Sequence, residues 1–211
     1  MYIPDAFRID DLGKLHSLME THPFATLITQ DEGTPYASHL PMLLRPEAGP
    51  HGALISHMAR ANPQWHHFAS GQEALAIFHG PHAYISPSWY QTQPAVPTWN
   101  YAMVHARCVP RLLQDKAVVA AILRETVATF ESSRPHPWPG DLPHDYFDRM
   151  IQAVVAFEIP IRTVEGKFKL GQNRSAEDLR GVQQALACST HREDQALAEF
   201  MLQECSEFHA P

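Results

Sequence analysis

Short strand-like segments that follow one another closely constrain the fold of this chain most strongly. The clearest is Ala102–Val109, where side chains alternate as they do on a half-buried strand. The others cover residues 24–29, 35–45, 52–58, 73–87 and 153–170, the last interpreted as two strands hinged near Pro160. The first two are separated by "QDEGT", a hairpin-like turn. Because consecutive short strands favour hairpin connections, the pattern predicts an antiparallel barrel with peripheral helices rather than a doubly wound sheet.

Helical periodicity is confined to a few segments around these strands. Residues 10–20, 115–131 and 144–151 are predicted to be helices, and the second has the clearest apolar face. "SAED" (175–178) and "THRE" (190–193) each place a hydroxyl three residues before an acid, which predicts two further helices capped by Ser175 and Thr190.

Composition excludes some classes of function. The formal net charge of −7 argues against broad nucleic-acid binding, which needs lysines and arginines to displace phosphate counterions. Three cysteines without metal spacing are typical of reduced thiols in a cytoplasm. We find no signal segment at the start and no apolar run long enough to cross a bilayer, so we expect a soluble cytoplasmic protein without membrane contact.

The stretch "ISHMARANPQW" is a candidate anion site. Ser56 and His57 end a strand, Arg60 follows, and Asn62 is suited to cap a short helix with Pro63 in its first turn. The amides of a helix N-terminus beside a guanidinium favour a phosphate. The alternative is that Arg60 is a solvated surface residue and Asn62 only a cap.

A second stretch, "EGKFKLGQNRS", holds the densest positive charge in an acidic chain. Lys167 and Lys169 lie on one face of a strand, and Gln172 and Asn173 add amides before a helix. These residues are suited to a phosphate and the polar edge of a ring. The alternative is that the lysines protect a strand edge against unwanted pairing.

In "VPTWNYAMVHARC", a proline-containing loop leads through Trp99 and Asn100 into a strand. Such side chains either plug the end of a barrel or line a cleft for a flat ligand. The chain has 14 histidines but no metal-binding motif, so no metal site is predicted. No hydrolase motif is present either, and Cys108 is interpreted as a small core residue.

Several of these motifs occur together in one known family. "MYIPDAF", "SHMARANPQW", "HAYISPSWY", "VPTWNYAMVHA" and "KFKLGQNRS" resemble the PaiB family, the flavin-binding-type negative transcriptional regulators, and occur in the same order as in that family. The resemblance covers residues 1–186, which we take as the barrel domain with inserted helices. Residues 187–211 are taken as a helical tail.

The resemblance implies an FMN-binding split β-barrel with C-terminal helices, homodimeric, with flavin sites in clefts between subunits. It assigns the phosphate to Ser56, His57 and Arg60, beside the helix capped by Asn62. It places Trp99, Asn100, Lys169, Gln172 and Asn173 around the ring, contributed by the partner subunit.

The resemblance also implies negative regulation of transcription, direct or indirect. No basic recognition helix is evident, which argues against direct DNA contact. A flavin-dependent oxidoreductase acting on a small molecule and a haem-binding split barrel are the alternatives. No side chain can be singled out as a catalytic acid or base, so enzymatic activity is left open.

Overall fold

A computed structural model describes residues 1–205 of the chain. The strands in chain order are β1 (Arg8–Ile9), β2 (Phe24–Asp31), β3 (Thr34–Pro41), β4 (Leu43–Arg45), β5 (Ala53–Ala59), β6 (Ala74–Ile85), β7 (Thr98–Cys108), β8 (Arg111–Leu113) and β9 (Val154–Lys169). The α-helices are α1 (Leu12–Thr21), α2 (Lys116–Glu131), α3 (His144–Gln152), α4 (Ala176–Ala187) and α5 (Arg192–Glu204). Short 3₁₀ helices cover Asp5–Phe7, Pro63–Ser70 and Pro87–Trp89.

The strands pair in the order β3-β2-β6-β7-β9-β5-β4, and β1 and β8 also pair with β9. β2 and β3 form the predicted antiparallel hairpin, in which Phe24 lies opposite Pro41 and Asp31 opposite Thr34. β5 runs antiparallel to β9, with Ser56 opposite Phe157. The prediction of a mainly β chain with antiparallel strands and helices between and after them is therefore confirmed.

β9 differs from its prediction, because one strand of 16 residues replaces two strands hinged near Pro160. Proline has no N–H to donate to a sheet. Pro160 lies opposite Ala53, at the end of the β5 ladder, and the next residue, Ile161, donates its N–H to the Gly52 carbonyl at 3.0 Å. The missing donor therefore falls where the sheet does not need it.

The predicted helices are confirmed in existence, and one of their caps is wrong. Asp115 caps α2 by accepting hydrogen bonds from the N–H groups of Ala117 (2.7 Å) and Val118 (3.2 Å). Thr190, however, does not cap α5, because the flanking residue there is His191 and its side chain makes no capping bond. Ser189 organises this turn instead, by donating its hydroxyl to Asp194 at 2.6 Å.

The described chain divides into two compact units, and β6, β7 and β9 contribute residues to both. The first unit contains Met1–Leu15, His79–Val104 and the chain from Glu165 onward. In it, the rings of Phe168 on β9 and Phe200 on α5 pack edge to face at 5.2 Å. The division between a barrel and a tail at 186/187 stays a prediction, and the last six residues of that tail lie outside the described residues.

The second unit contains His16–Phe78 and His105–Val164. Its apolar cluster joins Leu43 and Ile55 on neighbouring strands to Val119 and Ile122 on α2 and to Ile151 on α3. These helices bury their apolar faces on the β4–β5 part of the sheet, as the periodicity of 115–131 predicts. Within residues 1–205, no helix combines the length and apolar character that crossing a membrane requires.

Gly166 on β9 provides a test of the packing in the first unit. A Cβ at this position would overlap Leu15 Cδ2 and lie 3.3 Å from Ile9 Cβ, and Leu15 is only 2% exposed. We expect Gly166→Ala to lower the free energy of unfolding by about 1–3 kcal/mol, because buried neighbours must move. Urea unfolding followed by tryptophan fluorescence measures this. Thr163→Ser, at an exposed position of the same strand, should change it by less than about 0.5 kcal/mol; equal effects of the two changes would contradict the packing argument.

Candidate functional site

The predicted site residues lie in two groups, one in each compact unit. Ser56 and His57 are on β5 in the second unit, with Arg60 and Asn62 directly after it. Trp99 and Asn100 on β7, Lys169 at the end of β9, and Gln172 and Asn173 in the following turn belong to the first unit. Each group is described by itself.

Ser56 and His57 point to opposite faces of β5, as neighbours on a strand must. Ser56 is 2% exposed and its hydroxyl donates to the Pro41 carbonyl at 2.6 Å. A ligand would have to replace that bond to use the hydroxyl as a donor. Burial lowers the pKa of His57 below its ordinary value, so the imidazole is neutral at pH 7 and offers a hydrogen bond rather than a charge.

Arg60 holds the junction between α3 and β9. Its backbone N–H donates to the Ala153 carbonyl at 2.8 Å, Nε to Gln152 at 2.7 Å and Nη2 to Val154 at 2.8 Å. The guanidinium thereby satisfies carbonyls at a helix C-terminus, where positive charge is favourable. Its remaining nitrogen, Nη1, has no acceptor among residues 1–205 and is the part of the fork left for a ligand.

Asn62 is confirmed as a helix cap. Its Oδ1 accepts from the Gln64 N–H at 3.0 Å, and Pro63 occupies the first turn. The helix is the 3₁₀ segment Pro63–Ser70. Nδ2 of Asn62 donates to the Ser38 hydroxyl at 2.8 Å, which fixes the side chain against β3.

Trp99 and Asn100 belong to β7 itself rather than to a loop before it. As neighbours on a strand, they face opposite sides. Trp99 is 51% exposed and Asn100 only 3%. The Trp99 ring lies 5.6 Å from His82 and 6.5 Å from Tyr84, centroid to centroid. Sequence reasoning missed His82 and Tyr84; the alternation of "HAYIS" was the available signal, but the pairing of β6 with β7 was not visible in it.

Lys169 lies against the first residues of β7. Its ammonium donates to the Trp99 carbonyl at 2.6 Å and to the Thr98 hydroxyl. Burial, and after it the positive charges of Lys167 and Arg174, lower the pKa of Lys169. No carboxylate forms an ion pair with Lys169 in the part of the chain described. An anion bound beside the Lys169 ammonium would therefore be electrostatically favourable.

Lys167 does not protect a strand edge, because it is only 8% exposed and lies opposite Arg8 of β1. Its ammonium donates to the Tyr2 carbonyl at 3.2 Å. It also lies 5.6 Å from the Tyr2 ring centroid and 5.3 Å from that of Tyr101. These cation–π contacts compensate the buried charge without a carboxylate.

In the turn after β9, the side-chain amide of Gln172 is hydrogen-bonded to nearby backbone groups. Gln172 Oε1 accepts from the Leu170 N–H at 2.8 Å and Nε2 donates to the Phe168 carbonyl, so this side chain shapes the turn. Gly171 has φ +93°, and a Cβ there would lie 2.8 Å from Leu179 Cδ2, so glycine is required. Asn173 is exposed beyond this turn.

Asp178 on α4 is a further organising residue that sequence reasoning assigned only to a cap. Ser175 Oγ does accept from the Asp178 N–H at 3.2 Å. The Asp178 carboxylate, however, is buried and accepts from the N–H groups of Gln91 (2.7 Å) and Thr92 (2.9 Å). It thereby fixes the loop that precedes β7 and Trp99. The hydrogen bond from Thr92, followed by that from Gln91, holds the pKa of this carboxyl below its ordinary value.

Within residues 1–205, no group of three or more His, Cys, Asp or Glu side chains is arranged to hold a metal ion. Cys108 is buried, as expected for a core residue, and burial raises the pKa of its thiol to about 12. It is therefore protonated at neutral pH and unsuited to act as a nucleophile.

The fold is that of the flavin-binding split β-barrels, as the sequence predicts. The flavocytochrome Anf3 from Azotobacter vinelandii superposes with a TM-score of 0.60 at 16% identity, over 82% of this chain and 75% of that chain. The FAD and heme binding protein from Mycobacterium smegmatis gives a TM-score of 0.61 at 15% identity, over 82% of this chain and 78% of that chain.

Sequence comparison is more specific. A family model described as "Putative FMN-binding domain" matches residues 1–163. "Protease synthase and sporulation protein PAI 2" of Bacillus subtilis (strain 168) is 32% identical over 202 residues, which cover 95% of this chain and 96% of that protein. The chain therefore belongs to the PaiB family of FMN-binding-domain proteins.

Asp178 provides a pH test of the loop in the first unit. Because hydrogen bonds lower its folded-state pKa, its stabilisation is complete above the ordinary carboxyl pKa and is lost as pH falls through the folded-state value. We expect Asp178→Asn to lower Tm at pH 7, and the difference from the unchanged protein to shrink below about pH 4. Thermal unfolding across this range measures it. Glu177→Gln, exposed on the same helix turn, is the control; a pH-independent loss of Tm for Asp178→Asn would refute the charge assignment.

Proposed function

We propose that this chain binds FMN non-covalently as a homodimer. The observation that carries the proposal is the ammonium of Lys169, which donates to the Thr98 hydroxyl and the Trp99 carbonyl and has no carboxylate partner among residues 1–205, on a strand end whose Trp99 side chain is 51% exposed. A flat aromatic ligand with an anionic group is the chemistry that matches this pair of features. The family model for an FMN-binding domain supports the same ligand.

The residues of the first unit fit the ring of a flavin nucleotide, whereas its phosphate is assigned to residues of the second unit. Burial, and after it the positive charges of Lys167 and Arg174, lower the pKa of Lys169, and an oxygen at the polar edge of the ring would stabilise the charged ammonium. Trp99 and Tyr84 are 51% and 48% exposed, so their rings have faces free to stack on a planar ligand. Both features favour a ligand that is aromatic and has a polar edge.

The residues proposed to surround the flavin ring are Trp99, Asn100, Lys169, Gln172 and Asn173. Asn100 and Gln172 would act mainly by shaping the turn and the strand end, because the first is buried and the second is bonded within the turn. When bound, FMN supplies redox chemistry, and the protein's part is to bind it, orient it and exclude water.

The residues predicted to hold the phosphate of FMN are still Ser56, His57, Arg60 and Asn62. Nη1 of Arg60 is the side-chain donor best suited to that role, because the other two guanidinium nitrogens and the Ser56 hydroxyl already donate to carbonyls. This assignment is tested separately from that of Lys169.

A regulatory role in a cytoplasm is the biological part of the proposal. The name of the Bacillus relative refers to protease synthesis and sporulation, which is compatible with control of gene expression. With a net charge of −7, we expect an indirect route rather than direct DNA binding. A gel shift at low salt that weakens steeply with added salt would instead support direct contact.

FMN binding is tested by titrating purified protein into FMN and following the quenching of flavin fluorescence. We expect saturable quenching, about tenfold weaker affinity for Lys169→Gln, and a smaller loss for Lys169→Arg, which keeps the charge. Arg60→Gln, measured in the same titration, tests whether the predicted phosphate site contributes to the affinity for FMN. Arg192→Gln removes an exposed charge on α5 and serves as the matched control. Absence of quenching at saturating FMN would end the proposal.

The same titration separates FMN from its alternatives. The two similar structures are of a flavocytochrome and of an FAD and heme binding protein, so FAD and haemin are titrated in parallel. Tighter FAD binding, or a Soret band lost on one histidine substitution, would replace FMN as the ligand. Oxidation of a reduced nicotinamide cofactor by the FMN-loaded protein would indicate an oxidoreductase. Sedimentation at several concentrations tests the dimer.

A further inference from the structure

A large cavity lies in the second unit, and none of the residues proposed to surround the flavin ring lines it. Its volume is about 800 Å³, within the range of small-molecule sites. It is lined by α2, the proline-containing segment 137–142, α3, Pro41 of β3 and one residue of β5. Its wall includes Leu123, Val127, Trp138, Phe147, Met150 and His57.

The cavity walls are mainly apolar, and two contacts hold them in place. The guanidinium of Arg124 lies 4.8 Å from the centroid of the Phe147 ring. The carboxylate of Glu131 accepts the N–H of Trp138 at 2.8 Å, which ties the proline-containing segment to α2. Arg124, Glu131 and Asp141 all line the cavity, so charges of both signs are present and neither dominates. This balance disfavours a strongly charged ligand and favours an uncharged one.

His57 supplies directionality. Its Nδ1 is buried and has no hydrogen-bond partner within residues 1–205, although the residue as a whole is only partly buried. A buried N–H without an acceptor is the costlier state, so the neutral ring places its proton on Nε2. Nε2 is then a donor on the accessible side of the ring, where His57 lines the cavity. A ligand in the cavity would be recognised through an acceptor oxygen.

We propose that this cavity binds a small, uncharged, largely apolar molecule that carries a ring and a carbonyl-type oxygen. Leu123, Val127, Phe147 and Met150 contact the apolar body, and His57 Nε2 donates to the oxygen. The site contains none of the residues proposed around the flavin ring. It shares His57 with the predicted phosphate site, so it requires that Ser56, Arg60 and Asn62 hold the phosphate without His57.

Nile red, an uncharged ring compound with a carbonyl, is the probe, because its fluorescence rises in an apolar site. Ala128 on α2 is exposed and lines the cavity, whereas Ala121, two turns earlier on the same helix, is exposed and does not. We expect saturable binding to the full chain, at least tenfold weaker affinity for Ala128→Trp, and no change for Ala121→Trp. Equal affinity of the two variants, with circular dichroism confirming that both are folded, would overturn the proposal.

A second comparison tests the role of His57. His57→Phe should weaken Nile red binding about 3- to 10-fold, the value of one hydrogen bond. Binding of N-phenyl-1-naphthylamine, which is apolar but has no carbonyl, should be unchanged. Equal weakening of both probes would overturn the assignment of the donor.

FMN provides the last arm of the test. We expect saturating FMN to leave Nile red bound, since of the nine residues assigned to FMN only His57 lines the cavity. Displacement by FMN would show that the cavity belongs to the flavin site and would overturn the proposal. If the chain fails to bind FMN but Nile red still distinguishes Ala128→Trp from Ala121→Trp, the cavity site stands and only the flavin proposal fails.

Discussion

The backbone hydrogen bonds of β9 are the constraint on which the rest of the structure depends. A strand of this length has two edges of N–H and C=O groups, and nearly all of them need partners when buried. β5 and β8 pair with its first part, and β1 pairs with its last part. The candidate residues follow from this arrangement, because β5 carries Ser56 and His57 and the end of β9 carries Lys169.

In the first unit, buried Lys167 and partly buried Lys169 have no carboxylate partner among residues 1–205. Lys167 is compensated by a carbonyl and two tyrosine rings, and Lys169 by a carbonyl and a hydroxyl. Burial, and after it the positive charges of Lys167 and Arg174, lower the pKa of Lys169, and the neutral partners offset this only partly. In the second unit, two guanidinium nitrogens of Arg60 donate to carbonyls at the α3–β9 junction. A cationic side chain thus supports the fold at Arg60 and is available to an anion at Lys169.

Local signals in the sequence predicted local structure well. Asn62-Pro63 began a helix, Asp115 preceded α2, and the β2–β3 hairpin had the expected turn. Predictions failed where a partner elsewhere in the chain decided the outcome. The hinge near Pro160 was wrong because the neighbouring Ile161 makes the ladder bond, and Thr190 was not a cap because Ser189 took over the turn.

The sequence by itself determined the class of fold, because alternation, turns and caps are properties of a few adjacent residues. Together with the family motifs, it also determined which residues to consider for a flavin site. Only the tertiary structure decided what each of those residues is bonded to: Ser56 to a carbonyl, Gln172 to its own turn, and Asp178 to a loop more than 80 residues away. The physical reason is that hydrogen-bond partners and burial depend on which distant segments pack together, and no local pattern contains that information.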